Sequence, residues 1–508
     1  MLLLFSLTYT QMLYHFTILS ILQVISLASA GDIGVIGSVT KQTVISKLDS
    51  GSELVSLDTQ PAYEEPIYVL SLHGSTSRSQ GYDAGLLFGK QFAENYNNLL
   101  SGLFGDYPKL EPTLVSLTEA FLDWQWSDYL CKQVPQEYMD ELDGLRAGGE
   151  EVGVSDLDKM TSRGITLANL PGDGSDIIFV LLDEFKSSRG ASLNIEQLRL
   201  LPEVGKIIAA YNGHQCSMFG AWGSRTVNGD LYSARNLDWL PDLGVNQYKL
   251  LTVHHPPGGV AHVTVGFAGI WGALAGMAAT GLTVHEANLE SKQDTFRGFP
   301  WILRLRHVMA YSPTGSIEEA LDIWGATNNT VGFNHMVGSA TDGKAVCMET
   351  MKDYTAYFED MDPREDGAVD PSTGEVYGHT LSDAVYRTNH GYDPTTQENY
   401  QWYGYHAYQN SKDRYDVIYQ SFKDYEDTGV LVGASEAVRI TSAVGIKGDE
   451  TNEDNCDPTL YHEGINVLSV TYDPARLTLY AAFEDGTGEG WVPAACNGYI
   501  EIDMSQWF

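Results

Sequence analysis

The sequence predicts an α+β protein whose helices and strands are stacked in layers. Up to residue 212 the apolar positions recur mostly with helical spacing, and beyond it the texture changes to short β-rich runs separated by glycine. Those runs form meanders with paired helices between them, unlike the strict strand-helix alternation that builds a parallel sheet. With 508 residues, 43% hydrophobic and 19% charged, the chain has apolar surface for a large core and does not look disordered. At roughly 150 residues per domain it is about three domain-lengths, or one large enzyme fold with insertions.

The first charged residue is Asp32. Before it lies an apolar, hydroxyl-rich stretch with a run from Phe16 to Leu27 that ends in the small residues Ala28-Ser29-Ala30. Residues 1–30 read as a cleaved secretory signal, with a retained membrane anchor as the alternative because the stretch is long enough to span. A basic leading region is missing, and Met12 as the start would give a signal of ordinary length. The expected location is the secretory pathway, with an extracellular or lysosome-like destination. From 31 to about 61 the chain is rich in Ser, Thr, Gly and Asp with scattered Val and Ile, which predicts a strand or two. Gly81, Gly85 and Gly89 then fall four apart on one helix face. Glycine costs a helix about 1 kcal/mol apiece, so this face predicts close backbone approach to a packed neighbour. Further helices are expected at 113–131, 135–149 and 195–210.

After residue 213, strands are expected at 248–254, 261–267 and 270–275, then at 282–287 behind a turn at Ala278-Ala279-Thr280-Gly281. Helices follow at 300–311 and 316–324, and strands at 332–340, 344–350 and 354–359. A helix at 414–425 precedes closing strands at 466–472, 477–483 and 499–502. Residues 360–391 and 451–458 read as surface excursions.

Asp and Glu number 67 against 30 Lys and Arg, a net charge of −37, so nucleic acid and anionic membranes are poor partners. Five cysteines are too few for a disulfide scaffold, although Cys456 and Cys496 stand near the closing strands as a possible bridge. Cys131 and Cys347 sit among apolar residues and are expected to be buried. There is no Gly-x-Ser-x-Gly elbow, His-Glu-x-x-His, Walker loop or Cys-x-x-Cys pair. His254, His255 and His262 flank one turn without an acidic or thiolate partner at ligand spacing, so they read as exposed or hydrogen-bonded hairpin residues. No metal and no cofactor is expected.

The informative stretch begins where the textures meet, at Asn212-Gly213-His214-Gln215-Cys216. A polar junction followed by a Cys that heads a strand is a place where a chain can be cut to leave Cys with a free α-amine. Such an amine, with a pKa near 8, takes the thiol proton without any histidine. Taken alone, Cys216 reads more readily as a buried core thiol than as a nucleophile. A turn at Asn228-Gly229-Asp230 then folds the chain back, so that Arg235 and Asp238 can lie beside Cys216. They would supply a cation to favour thiolate and a carboxylate to hold the α-ammonium.

Arg235-Asn236-Leu237-Asp238-Trp239 after a Cys-led strand resembles the cholylglycine hydrolase and penicillin acylase group of N-terminal nucleophile (Ntn) hydrolases. It is most similar to the branch containing acyl-CoA:6-aminopenicillanic acid acyltransferase. Gly276 to Asn288 resembles the group's Gly-Met-Asn-x-x-Gly-Leu hairpin, with Ala278 in place of the usual Asn, and Tyr386-Arg387-Thr388-Asn389-His390 its Thr-Asn-His segment. Ser411-Lys412-Asp413-Arg414 resembles its Ser-x-x-Arg helix start, and the likeness covers roughly residues 65 to 505.

The resemblance implies a four-layer αββα sandwich with residues 31–215 as a mostly helical propeptide and residues 216–508 as the catalytic part. It implies a self-processing cysteine hydrolase that cuts Gln215-Cys216 and then cleaves linear amides: N-acyl amides, lipid amides or acyl amino acids. In that reading Cys216 is the nucleophile and Arg235 tunes its sulfur. Asp238 orients the α-amine, Asn288 and Asn389 serve the oxyanion, and Arg414 braces the site. The processed pieces would stay together as a heterodimer acting on a small lipid-like substrate. An acyltransferase using the same thioester, and an inert binding protein that keeps the fold, are the alternatives. Asn328, in Asn328-Asn329-Thr330, is a glycosylation sequon.

Overall fold

A computed structural model describes residues 33–104, 111–170, 175–211, 215–289, 291–370, 373–400, 404–447, 456, 458–459, 461 and 465–508. The proposed signal, residues 1–30, and most of the excursion at 451–458 lie outside the described residues.

The strands form one hydrogen-bonded ladder that doubles back on itself. One half is an antiparallel meander of β6 (Lys249–His254), β7 (His262–Phe267), β8 (Ala275–Ala278), β9 (Leu282–Asn288), β10 (Phe333–Ser339), β11 (Lys344–Met351) and β12 (Tyr354–Phe358). The other runs, in spatial order, through β13 (Ala384–Arg387), β4 (Gln215–Ala221), β5 (Tyr232–Asp238), β14 (Asn466–Asp473), β15 (Thr478–Phe483) and β16 (Tyr499–Asp503). The halves pack face to face, β4 on β9, β10 and β11, and β5 on β9. Small residues permit the approach: a Cβ on Gly220 of β4 would lie 2.8 Å from that of Ala345 on β11. Ser233 of β5 hydrogen-bonds across the layers to Thr283 and His285 of β9, each at 3.0 Å.

Helices cover both outer faces. α7 (Trp301–Ala310) packs on β7 to β9, α8 (Ile317–Gly325) on β10 and the short α9 (Pro394–Asn399) on β11, while α10 (Gly404–Thr428) packs on β4 and β13 and α11 (Ala434–Ile446) on β5 and β14. The architecture is therefore the four-layer αββα sandwich. Because each sheet is covered on both faces, strands such as β5, β6 and β9 are buried at every position and lack the polar alternation of a half-exposed strand.

Residues before 215 are helical in α1 (Ser77–Phe104), α2 (Glu111–Asp128), α3 (Gln136–Glu151), α4 (Leu157–Ala168), α5 (Ser175–Arg189) and α6 (Ile195–Tyr211). The glycine face of α1 meets a second glycine face on α3. A Cβ on Gly81 would lie 2.0 Å from the Glu141 carbonyl oxygen, and one on Gly144 2.0 Å from that of Arg78. The segment is not only a helical wrap, however. Its strands β1 (Ile36–Lys47), β2 (Glu53–Gln60) and β3 (Ile67–Leu72) join the two half-ladders, β3 running parallel to β6 and β1 parallel to β16.

Other departures have local causes. The strand expected at 270–275 begins only at Ala275, and Ile270, Trp271 and Leu274 before it line a cavity. The excursion at 360–391 contains β13, four residues held by pairing to β4. Helix α11 was not expected; packed on β5 and β14, it buries Val438, Ile440, Val444 and Ile446 together with the small or hydroxyl residues Ala437, Thr441, Ser442 and Gly445, so its burial spreads beyond a single apolar stripe. Cys131 is partly exposed at the edge of a short 3-10 turn, whereas Cys347 is buried. Of the histidines expected to be exposed or hydrogen-bonded, His255 and His262 are hydrogen-bonded, to the Trp507 and Val260 carbonyls, while His254 and His262 are buried, pair across β6 and β7 with their rings stacked 5.1 Å apart, and are held neutral by burial. Cys456 and Cys496 form a disulfide, and Asn328 is exposed.

Candidate active site

The candidate site lies at the end of β4 where the two sheets and α10 converge. Gln215 opens β4 and pairs with Asp238, and Cys216 pairs with Leu237. Met218 opposite Arg235 puts Arg235 on the same strand face as Cys216, one step along the diagonal. Arg235 Nη2 lies 3.5 Å from Cys216 Sγ and also donates to Glu286 Oε1, while its Nε donates to the Glu286 carbonyl at 3.1 Å. Cys216, Arg235 and Glu286 are all buried.

The amide of Cys216 is held from the other side. Its N–H donates to Asn389 Oδ1 at 2.9 Å, and Arg414 donates to both the Cys216 carbonyl and, at 2.7 Å, Asn389 Oδ1. Arg414 is set by Asn410, one helical turn earlier on α10, which accepts from its Nε at 2.8 Å. Asn389 Nδ2 donates to the Asn288 carbonyl at 2.8 Å, and the backbone N–H of Asn389 donates to Ser411 Oγ at 2.8 Å. The Asn389 segment is fixed beneath by Glu349, which accepts from the N–H groups of Tyr392 and Asp393 and lies 3.3 Å from Arg387 Nε.

Asp238 ends β5. Asn466 Nδ2 donates to its Oδ1 at 2.6 Å, and its Oδ2 is buried without a hydrogen-bond partner. The buried Asn288 side chain makes no hydrogen bond among the described residues. All six residues singled out from the sequence therefore converge: Cys216, Arg235, Asp238, Asn288, Asn389 and Arg414. Glu286, Asn466 and Asn410 were missed. Of these only Glu286 carried a signal, as a carboxylate within a predicted strand, two residues before Asn288.

Burial dominates the electrostatics. It pushes the Cys216 thiol up to about 12, with the Glu286 carboxylate adding to the rise and Arg235 opposing it. It lifts Asp238 to about 6, against Arg414, Asn466 and Arg235, and Glu286 to about 7, against Arg235. Among the described residues no group of three or more His, Cys, Asp or Glu side chains is arranged to hold a metal ion.

Beside Cys216 opens an apolar cavity of about 840 Å³ counting its mouth. Cys216 is not on its wall, but its strand partner Leu237 and Glu286 are, together with Trp239, Phe267, Trp271 and Trp301. Asn95, Tyr96 and Leu99 of α1 and Ile165 and Leu167 of α4 complete it, so both sides of the 215/216 junction build one cavity.

Residues 224–486, just over half of the chain, match the family model of acyl-coenzyme A:6-aminopenicillanic acid acyl-transferase. The chain belongs to this acyl-transferase family. Cys216 precedes the matched span, which takes in Arg235, Asp238, Asn288, Asn389 and Arg414. Protein dcd1A of Dictyostelium discoideum is 25% identical over 464 residues, 87% of this chain and 86% of that one. Protein dcd1B of the same organism is 32% identical over 152 residues, 29% of this chain and only 30% of that relative's length. Among solved structures, an N-acylethanolamine-hydrolyzing acid amidase ortholog from Caenorhabditis elegans superposes with a TM-score of 0.34 at 14% identity, covering 51% of this chain and 93% of the other. Among the described residues of this acyl-transferase family member, no helix is long and apolar enough to cross a membrane.

Proposed function

We propose that this acyl-transferase family member is a self-processing cysteine Ntn hydrolase of the secretory pathway that cleaves linear N-acyl amides. The observation that carries the reading is the seating of Cys216 near the start of β4, its sulfur against Arg235 and its own N–H against Asn389. In the uncut chain that nitrogen is a peptide amide. Attack of the Cys216 sulfur on the Gln215 carbonyl moves the acyl group from nitrogen to sulfur, and water then releases it and leaves a free α-amine. Asp238 Oδ2, buried and unpartnered, is a ready acceptor for that amine once it is charged.

In turnover the α-amine takes the thiol proton as sulfur attacks the substrate carbonyl, and returns it to the leaving amine as the C–N bond breaks. A thioester remains, which water hydrolyses. The side chain of Asn288 has a free donor for the developing oxyanion. Asn389 presents Oδ1 to the Cys216 nitrogen, so in this state it steadies the amine, and its Nδ2 is engaged by the Asn288 carbonyl. The cavity favours an apolar acyl chain over a charged one. Transfer of the thioester to an amine uses the same groups, and the family's namesake activity favours it as the second reading.

The test is Cys216→Ala, read by mass spectrometry and by product profiling against a mixed N-acyl amide library. Both the cut and the activity should vanish while the protein stays folded. A cut that persists means that another protease does the processing, and amidase activity that persists makes Cys216 structural. One uncut, inactive wild-type band would revive the inert binding protein.

A further inference from the structure

Arg235 is shared. Its Nη2 donates to Glu286 Oε1 and lies 3.5 Å from Cys216 Sγ, while its Nε donates to the Glu286 carbonyl. Glu286 stands one residue beyond the last rung of the β8–β9 ladder, with no strand partner on that side among the described residues, and it forms part of the cavity wall. A buried cation that neutralises a carboxylate has less of its field left for a second anion.

We propose that Glu286 is a positioning residue that holds the Arg235 guanidinium at the Cys216 sulfur and sets, through its own charge, how far Arg235 stabilises the thiolate. The proposal rests on the reading of Cys216 as nucleophile. Charged, Glu286 takes up the field of Arg235 and repels a thiolate; protonated, it leaves Arg235 to the sulfur. Burial lifts Glu286 to about 7, so the change of state falls in the neutral range.

The other groups around the pair are accounted for. Arg235 comes from β5, Cys216 from β4, and His335 faces Glu286 across the β9–β10 ladder and is held neutral by burial. Arg304 of α7 acts on His335, Tyr472 of β14 acts on Arg235, and burial together with Arg235 holds His285 of β9 neutral. Asp238 and Arg414 act on Cys216. Helices α4 and α7 offer the cavity Ile165, Leu167, Trp301 and Ile302, none charged.

The experiment measures the rate of Cys216 alkylation by iodoacetamide, read by peptide mass spectrometry from about pH 5 to about pH 9, in wild type and in Glu286→Gln. Both proteins carry the same α-amine, Asp238 and Arg414, whose titrations cancel in the ratio of their rates. The ratio of variant to wild type should be near one at the acid end, where residue 286 is neutral in both. It should rise to roughly tenfold at the alkaline end, the effect of about one pKa unit on the thiol. Glu286→Asp, which keeps the charge, should track the wild type, and Glu286→Ala serves as a second charge-free variant if the Gln protein does not melt cooperatively. A ratio that stays flat with pH overturns the proposal. If Cys216→Ala keeps amidase activity, the nucleophile reading falls instead, whatever the alkylation ratio shows.

Discussion

Burial keeps Cys216 protonated at ordinary pH, so a Cys216 nucleophile as proposed above needs its base to take the proton as sulfur attacks and not beforehand. In the proposed reading the α-amine that the cut would create is then the group on which turnover depends, and Asn389 and Asp238 are the residues that would fix it. Asn288→Ala should leave folding and the cut largely intact yet lower kcat by roughly two to three powers of ten, as loss of one oxyanion donor does. Steady-state kinetics of the processed variant would reveal a purely structural role if kcat were unchanged.

A second prediction at this scale concerns Glu484, which accepts from Trp491 Nε1 at 2.6 Å and which burial raises to about 7. Its folded-state pKa lies above the unfolded one, so its contribution to stability is present at low pH and is lost as pH rises through about 7. Glu484→Gln should therefore gain stability relative to wild type between about pH 5 and pH 8, by roughly 1 to 3 kcal/mol. Denaturant melts at the two pH values check the sign, and a difference independent of pH would show that the carboxylate is not penalised.

Among the elements, the α1–α3 contact is the least forgiving. Gly81→Ala and Gly144→Ala each drive a Cβ to 2.0 Å from a backbone oxygen of the facing helix. Separating the helices should cost about 1 to 3 kcal/mol and a visible loss of Tm. The shift would also disturb Glu141, which holds Arg306 through both carboxylate oxygens and Trp271 Nε1 at 2.8 Å on the cavity side. Gly325→Ala, at the open end of α8, meets no atom within 4 Å and should be neutral or slightly stabilising. Equal Tm changes at the two kinds of site would refute the close-packing account.

The same elements show what the sequence made legible. Helix α1 was readable because glycines four apart have few other uses, and β4, β5 and β9 because the motif Cys, Arg-x-x-Asp and Asn ties them together. Strand β8 and helix α11 were not, since a short strand buried at every position has no alternation and a helix whose Val and Ile are interleaved with buried small and hydroxyl residues shows no single apolar stripe. Strand β13 is ordered by pairing with a strand more than 160 residues earlier, and no local pattern reports that. The site residues were legible as types in a given order. Their division of labour was not: Asn389 faces the Cys216 nitrogen, and Glu286 competes for Arg235, because both facts depend on where side chains turn in a dry interior.

At the scale of the whole molecule, the 215/216 junction separates pieces that share one ladder and one cavity. Residues 31–215 supply β1 to β3 and part of the cavity wall, and Glu141 of α3 is paired in the interior with Arg306 of α7. The processed pieces should co-elute in gel filtration even at high salt, because backbone pairing and apolar burial are little screened. Elution of the shorter piece alone under those conditions would contradict the account.

The strands β1 to β3 also set a direction in time. An uncut chain closes the ladder as one molecule, each half tethered to the other at high effective concentration. Once the junction is cut that tether is gone, and regaining the fold after unfolding becomes a meeting of two molecules, each with unpaired strand edges that invite aggregation. If the chain is processed as proposed, its assembly is a one-way step. Its working lifetime is then set by how slowly the finished form opens, so thermal inactivation should depend on scan rate in the processed protein and be more reversible in Cys216→Ala.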